Sequence, residues 1–74
     1  MPEFILFRAE QSLGPSFNEA ARRLSENAAV TIKRADDMGK TAMILIEADP
    51  KALVSVQNDL PGWSIEPNRK LGHY

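Results

Sequence analysis

The sequence predicts an α+β fold in which a four-stranded antiparallel sheet carries two helices on one face. Three observations lead there. The elements read strand, helix, strand, strand, helix, strand; two of the four strands are apolar at both parities while the other two are mixed; and 74 residues suffice for one domain only. A chain of this size buries only about 60% of the surface its unfolded form exposes, which leaves little room for both a packed core and an enclosed catalytic cavity.

The run Phe4-Ile5-Leu6-Phe7 is continuously apolar and bounded by charge, as suits a strand buried on both faces, and the first strand is placed at residues 3–9. Ser12-Leu13-Gly14-Pro15 reads as a turn, and Ser16 with Glu19 three positions on forms a capping box that opens a helix over residues 16–28. Phe17, Ala20, Ala21, Leu24 and Ala28 share one helical face, while Glu19, Arg22, Arg23 and Glu26 lie mainly away from it at pairing distances.

Val30-Thr31-Ile32-Lys33-Arg34 alternates like a strand with one wet face, and residues 36–40 supply a hairpin loop with Gly39. The returning strand covers residues 41–48 and is apolar at both parities over Ala42-Met43-Ile44-Leu45-Ile46. Asp49 is a good N-cap and Pro50 suits the first helical position; Ala52, Leu53, Val56 and Leu60 then form the apolar stripe of a second helix, ended by Pro61-Gly62. Trp63-Ser64-Ile65-Glu66 makes a short last strand, with the ring of Trp63 buried at its start, and Pro67 is expected to break the ladder.

This order is that of the ferredoxin-like βαββαβ sandwich. Polarity agrees, because the two strands that this topology puts in the middle are the two apolar ones. The domain is placed at residues 1–67 and an extended tail at 68–74. The same reasoning leaves a surplus: with both helices on one face, either Phe4 and Leu6 or Ile5 and Phe7 must point to the open face. Joined there by Met43 and Leu45, or by Ala42, Ile44 and Ile46, they would form an apolar patch of the kind that marks a partner surface.

Several function classes fit poorly. Cysteine is absent, which excludes disulfides, a thiolate zinc site and a cysteine nucleophile. The formal net charge of −1, with no Lys/Arg run, and a third strand without the basic-Gly-aromatic pattern argue against nucleic acid as partner. No apolar run is long enough for a signal peptide or a membrane span, so no membrane partner and a cytoplasmic location are expected of the chain as written. His73 is the single histidine and lies next to the last residue; Ser12, Ser16, Ser25, Ser55 and Ser64 have no activating group nearby in sequence, so no catalytic residues are assigned and the chain is not expected to be an enzyme. Asp36 and Asp37 read as a solvated pair in a hairpin loop rather than as cation ligands, and no metal or cofactor is expected.

After Pro67 the chain continues Asn68-Arg69-Lys70-Leu71-Gly72-His73-Tyr74, polar except for Leu71 and Tyr74 and without an apolar rhythm that would tuck it into its own core. Such a tail offers two anchors for a groove that binds extended peptide. Residues 65–74, following this order of elements, resemble the C-terminal part of subtilisin propeptides and of the stand-alone proteinase inhibitors related to them. The resemblance implies an inhibitor, or intramolecular-chaperone-like folding assistant, of a subtilisin-like serine protease. It implies that the open sheet face packs on two surface helices of the protease while the tail lies in the substrate subsites like a cleaved product. By position, Tyr74 would fill the primary specificity pocket, His73 and Gly72 the next two subsites, and Leu71 the apolar fourth.

Glu66 matches an acidic position that, in the family, helps cap the N-termini of the protease helices, where exposed amides and the helix dipole favour an anion. Asn68 stands where family members often have Asp and could still accept a capping hydrogen bond; Pro67 and Lys70 replace an acidic and an apolar residue. The alternative expectation, from a different class, is a small ferredoxin-like interaction or regulatory module that forms a homodimer through its sheet face.

Overall fold

The computed structural model describes residues 2–9 and 11–68 of the chain. Its elements are β1 (Glu3–Arg8), α1 (Phe17–Ser25), β2 (Val30–Asp37), β3 (Ala42–Ala48), α2 (Leu53–Asp59) and β4 (Trp63–Pro67), with a 3-10 turn (Pro50–Ala52) leading into α2. The sheet order is β2-β3-β1-β4 and every neighbouring pair is antiparallel, giving the ferredoxin-like architecture with the two apolar strands at its centre.

Local chemistry explains where the elements begin and stop. Ser16 sits in extended backbone and its Oγ accepts the Glu19 amide at 3.3 Å, so the N-cap forms as expected. The reciprocal half of the capping box does not: the Glu19 carboxylate turns to the guanidinium groups of Arg22 and Arg23, which are stronger donors than a neutral amide. Helix α1 ends at Ser25 rather than at residue 28. The Ser25 hydroxyl donates to the Arg22 carbonyl at 2.7 Å, and Asn27 Oδ1 accepts the Ala29 amide at 2.9 Å, offering the backbone an alternative to a further helical turn. The Asp49 side chain accepts the Lys51 amide at 2.9 Å, but the turn that it caps is 3-10 before the chain widens into α2.

Strand boundaries also move, by one residue at the end of β1 and the start of β3 and more tellingly in β2 and β4. β2 continues through Asp37 instead of stopping at residue 34, because Ala35, Asp36 and Asp37 go on pairing with Ile44, Met43 and Ala42. Pro67 does not break the ladder. It pairs with Phe4, and the next amide, that of Asn68, donates to the Glu3 carbonyl at 2.9 Å. Alternation along an antiparallel pair therefore turns the Pro67 nitrogen outward, at a sheet edge, where a missing N–H breaks no bond.

The core lies between the sheet and the helices. Phe4 and Leu6 of β1 and Ala42, Ile44, Ile46 and Ala48 of β3 are buried against Ala20 and Leu24 of α1, Val56 of α2, Leu60 and Trp63. Phe17, Val30, Ile32, Leu53 and Ile65 pack around them. Each fully buried Leu, Ile or Val side chain of this set contributes about 1.5–3 kcal/mol of transfer free energy.

One end of the sandwich is closed by two glycines in contact. The Ser12 hydroxyl donates to the Gly62 carbonyl at 3.0 Å and accepts the Gly14 amide at 3.1 Å, which draws the loop after β1 onto the turn before β4. A Cβ on Gly14 would lie 1.9 Å from the Pro61 carbonyl oxygen, and Gly62 has φ +88°, a left-handed conformation disfavoured for residues with a Cβ. Trp63, 2% exposed, completes the closure by donating its indole N–H to the Pro15 carbonyl at 2.9 Å.

Gly14→Ala is therefore predicted to destabilise the protein by about 3 kcal/mol through backbone overlap. Urea denaturation followed by Trp63 fluorescence checks this, and a loss below about 0.5 kcal/mol would refute the close approach. A second prediction concerns acid. Hydrogen bonds from Arg22 first, then Arg23, lower the Glu19 pKa from 4.5 to about 2. A carboxylate whose pKa falls on folding stabilises the native state fully above its unfolded pKa, and that contribution is lost as pH drops through the folded one. The melting temperature of the wild type should thus lose a Glu19-dependent part between about pH 4.5 and 2 that Glu19→Gln lacks. Parallel melting curves of the two proteins over that range would expose an idle network.

Candidate partner-binding face

The parity left open by the sequence is settled by the core. With Phe4, Leu6, Ile44 and Ile46 inside, Ile5 and Phe7 of β1 and Met43 and Leu45 of β3 point to the face away from the helices. Phe7 is 39% exposed and the other three are half-buried by one another. Cross-strand register arranges the face in rows. One reads Glu66, Ile5, Leu45, Arg34 from β4 to β2; the next reads Ser64, Phe7, Met43, Asp36. Towards the other end, Glu3 faces Glu47, which faces Thr31.

The apolar centre thus lies inside a charged frame. Arg34 Nε pairs with Asp36 Oδ2 at 2.9 Å, its side chain is 70% exposed, and among the described residues its outer nitrogens make no hydrogen bond. Glu3 and Glu47 are directly opposite, an arrangement of like charges that burial against a partner would penalise. The Ser64 hydroxyl donates to the Phe7 carbonyl at 3.3 Å, so the β4 flank is held to the centre by side chain as well as ladder.

Of the residues expected to contact a protease, Glu66 is exposed and shares the open face with Ile5. Asn68 spends its amide nitrogen within the sheet, which leaves its Oδ1 able to accept. Its Nδ2 donates to Glu3 Oε1 at 3.0 Å, which with the backbone bond to Glu3 ties the start of the tail to β1. Leu71, Gly72, His73 and Tyr74 lie outside the described residues. Asp36 and Asp37 do not converge: Asp36 pairs with Arg34, and Asp37 Oδ1 accepts the Gly39 amide at 3.1 Å to shape the hairpin turn. Ser12, Ser16, Ser25 and Ser64 all have their hydroxyls engaged with backbone groups.

Arg34 is the residue of this face that sequence reading misses. Strict alternation from Val30 and Ile32 would send Arg34 toward the helices. A β-bulge between Ile32 and Arg34 makes Lys33 an extra residue and pairs Arg34 with Leu45, on the open side. A charge at a parity otherwise held by Val30 and Ile32 is the signal that could have revealed it. On the opposite side of the molecule, Arg23 Nη1 bridges the helices by donating to the Asp59 carbonyl at 2.5 Å, at the floor of a shallow polar groove that also involves Glu26, Ser55 and Asn58. Among the described residues no helix is long and apolar enough to cross a membrane.

The two parities make a direct prediction about stability. Leu6→Ala, on the buried side, should cost about 2–5 kcal/mol, whereas Phe7→Ala, on the open side, should cost about 1 kcal/mol or less. Equal losses in chemical denaturation would mean that the open face is covered within the folded chain. Comparison of the sequence with protein-family models and with curated proteins finds no match, so the residues of this face carry the functional reading.

Proposed function

We propose that the chain is a proteinaceous inhibitor, or folding assistant, of a subtilisin-like serine protease rather than an enzyme. The observation that supports this best is the open face, where Ile5, Phe7, Met43 and Leu45 form an apolar centre that neither helix covers, beside the exposed carboxylate of Glu66. Such a surface suits contact with the apolar flanks and positive N-terminal ends of helices on a partner. β4 brings Asn68 to the end of this sheet, and the residues beyond it carry the resemblance to the product-like tail of the propeptide family.

In this reading the protein's own residues divide the work. The sheet face supplies buried area and slows release, while Leu71 and Tyr74 occupy apolar subsites and hold the tail where a substrate would lie. No bond is made or broken in the inhibitor. Inhibition is occupancy, so it should be competitive with peptide substrate.

Titrating subtilisin with the chain against a chromogenic peptide tests the proposal. Saturable competitive inhibition with an uncleaved tail is expected. Deleting residues 71–74, or replacing Tyr74→Asp, should weaken inhibition by about 100-fold without changing the melting temperature, since an apolar pocket would lose its occupant or have to desolvate a charge. Leu45→Lys should weaken it separately through the sheet. Rapid digestion of the chain without inhibition would reject the reading, and unchanged potency of the truncated form would reject the product-like tail.

A further inference from the structure

The row Glu66, Ile5, Leu45, Arg34 has a property that neither the apolar patch nor the tail accounts for: read across the sheet it is acid, apolar, apolar, base. A two-fold axis parallel to the strands and midway between β1 and β3 would lay a second copy face to face. It would put β1 over β3 of the second copy and β4 over β2. Glu66 would then meet Arg34 of the second copy, and Arg34 would meet its Glu66, while Ile5 and Leu45 stack on their counterparts. The neighbouring row obeys the same operation, with Phe7 over Met43 and the Ser64 hydroxyl over the Asp36 carboxylate. Aligned face-to-face packing holds two sheets about 10 Å apart, a gap that an Arg and a Glu side chain span together.

We propose that the open face pairs with a second copy of this chain in this two-fold register, with reciprocal Arg34–Glu66 ion pairs flanking an apolar centre of Ile5, Phe7, Met43 and Leu45. The bulge at Lys33 makes it feasible, because without it Arg34 would point to the helices and the base would be missing from the row. Arg34 can serve both partners: its Nε is engaged by Asp36 and its outer nitrogens remain for the carboxylate of the second copy. The face also limits the affinity. Four strands about 4.8 Å apart, five to eight residues long, cover a plane of roughly 20 by 20 Å, at the small end for a stable interface, so the dimer is a weak one.

The same register gathers Glu3 and Glu47 with Glu47 and Glu3 of the second copy at one end, next to Thr31, with Asn68 bonded to Glu3. These carboxylates oppose pairing while ionised. Removing their charge strengthens the dimer, and removing the Arg34–Glu66 complementarity weakens it.

Sedimentation equilibrium of the chain alone, from about 10 µM to 1 mM, reads the association without any protease, so its outcome is separable from that of the inhibitor proposal. A reversible monomer–dimer equilibrium is expected. Arg34→Glu and Glu66→Arg should each weaken it about tenfold or more, as loss of an ion pair in a desolvated interface does, and the double exchange should restore it. Glu3→Gln with Glu47→Gln should tighten it by a similar factor. Circular dichroism and melting curves identify variants that fail to fold, and since Arg34 and Glu66 are exposed the exchange tests pairing rather than stability. A monomer at every concentration overturns the proposal and leaves the face to a different partner. A double exchange that folds but stays monomeric, or indifference to the glutamate changes, overturns the register.

Discussion

The antiparallel pairing of β1 with β3 puts two strands that are apolar on both faces at the centre of the sheet, and the rest of the molecule answers to that constraint. One set of side chains, Phe4, Leu6, Ala42, Ile44, Ile46 and Ala48, calls for a cover, and α1 and α2 supply it with Ala20, Leu24, Val56 and the neighbouring Leu60. The other set, Ile5, Phe7, Met43 and Leu45, is not covered by α1 or α2, because these two short helices reach only one face. Burial on the first face holds the fold together, while the second keeps large apolar side chains within reach of solvent.

The loops are subordinate to this arrangement but not passive. With so small a core, closing the ends of the sandwich counts, and the chain does so with hydrogen bonds rather than bulk. Ser12 links the loop after β1 to Gly62, Gly14 allows backbone to meet backbone, and the Trp63 indole reaches the Pro15 carbonyl. At the opposite end Asn68 grips Glu3 by side chain and backbone, which fixes the end of β4 beside the open face. The two edges are protected as well: Pro67 presents no N–H on β4, and the bulge at Lys33 interrupts the regular edge of β2, which discourages strand addition by another chain.

Charge on the open face is asymmetric in a way that bears on any partner. Glu66 and Arg34 bracket the apolar centre from opposite edges, whereas Glu3 and Glu47 stand together at one end. A docking surface therefore has to satisfy both signs across the strands and avoid negative charge at one end along them. That requirement discriminates among partners more sharply than the apolar area, since a mismatched charge in a desolvated contact costs more than a missing methylene.

Element order and strand centrality were legible in the amino-acid sequence because they rest on local pattern: double-parity apolar runs at residues 4–7 and 42–46, a Ser16 cap, an Asp49-Pro50 start. Boundaries were less so where two local chemistries compete, as at Glu19, whose carboxylate prefers guanidinium groups to the amide of a capping box, and at Asn27, whose side chain diverts the end of α1. Which parity of β1 and β3 faces the helices could not be read from strands apolar on both sides, since each choice buries a comparable set. Packing decided it, by burying Phe4 and Leu6 in one cluster with Ala20, Leu24, Val56, Leu60 and Trp63. The open-face position of Arg34 likewise belongs to tertiary structure, because a bulge is a property of a pair of strands and not of either alone. By itself, then, the sequence determined an α+β sandwich with a sticky central pair; only the folded sheet decided which residues form the face and how its charges are framed, because register is a long-range relation between segments that local pattern cannot encode.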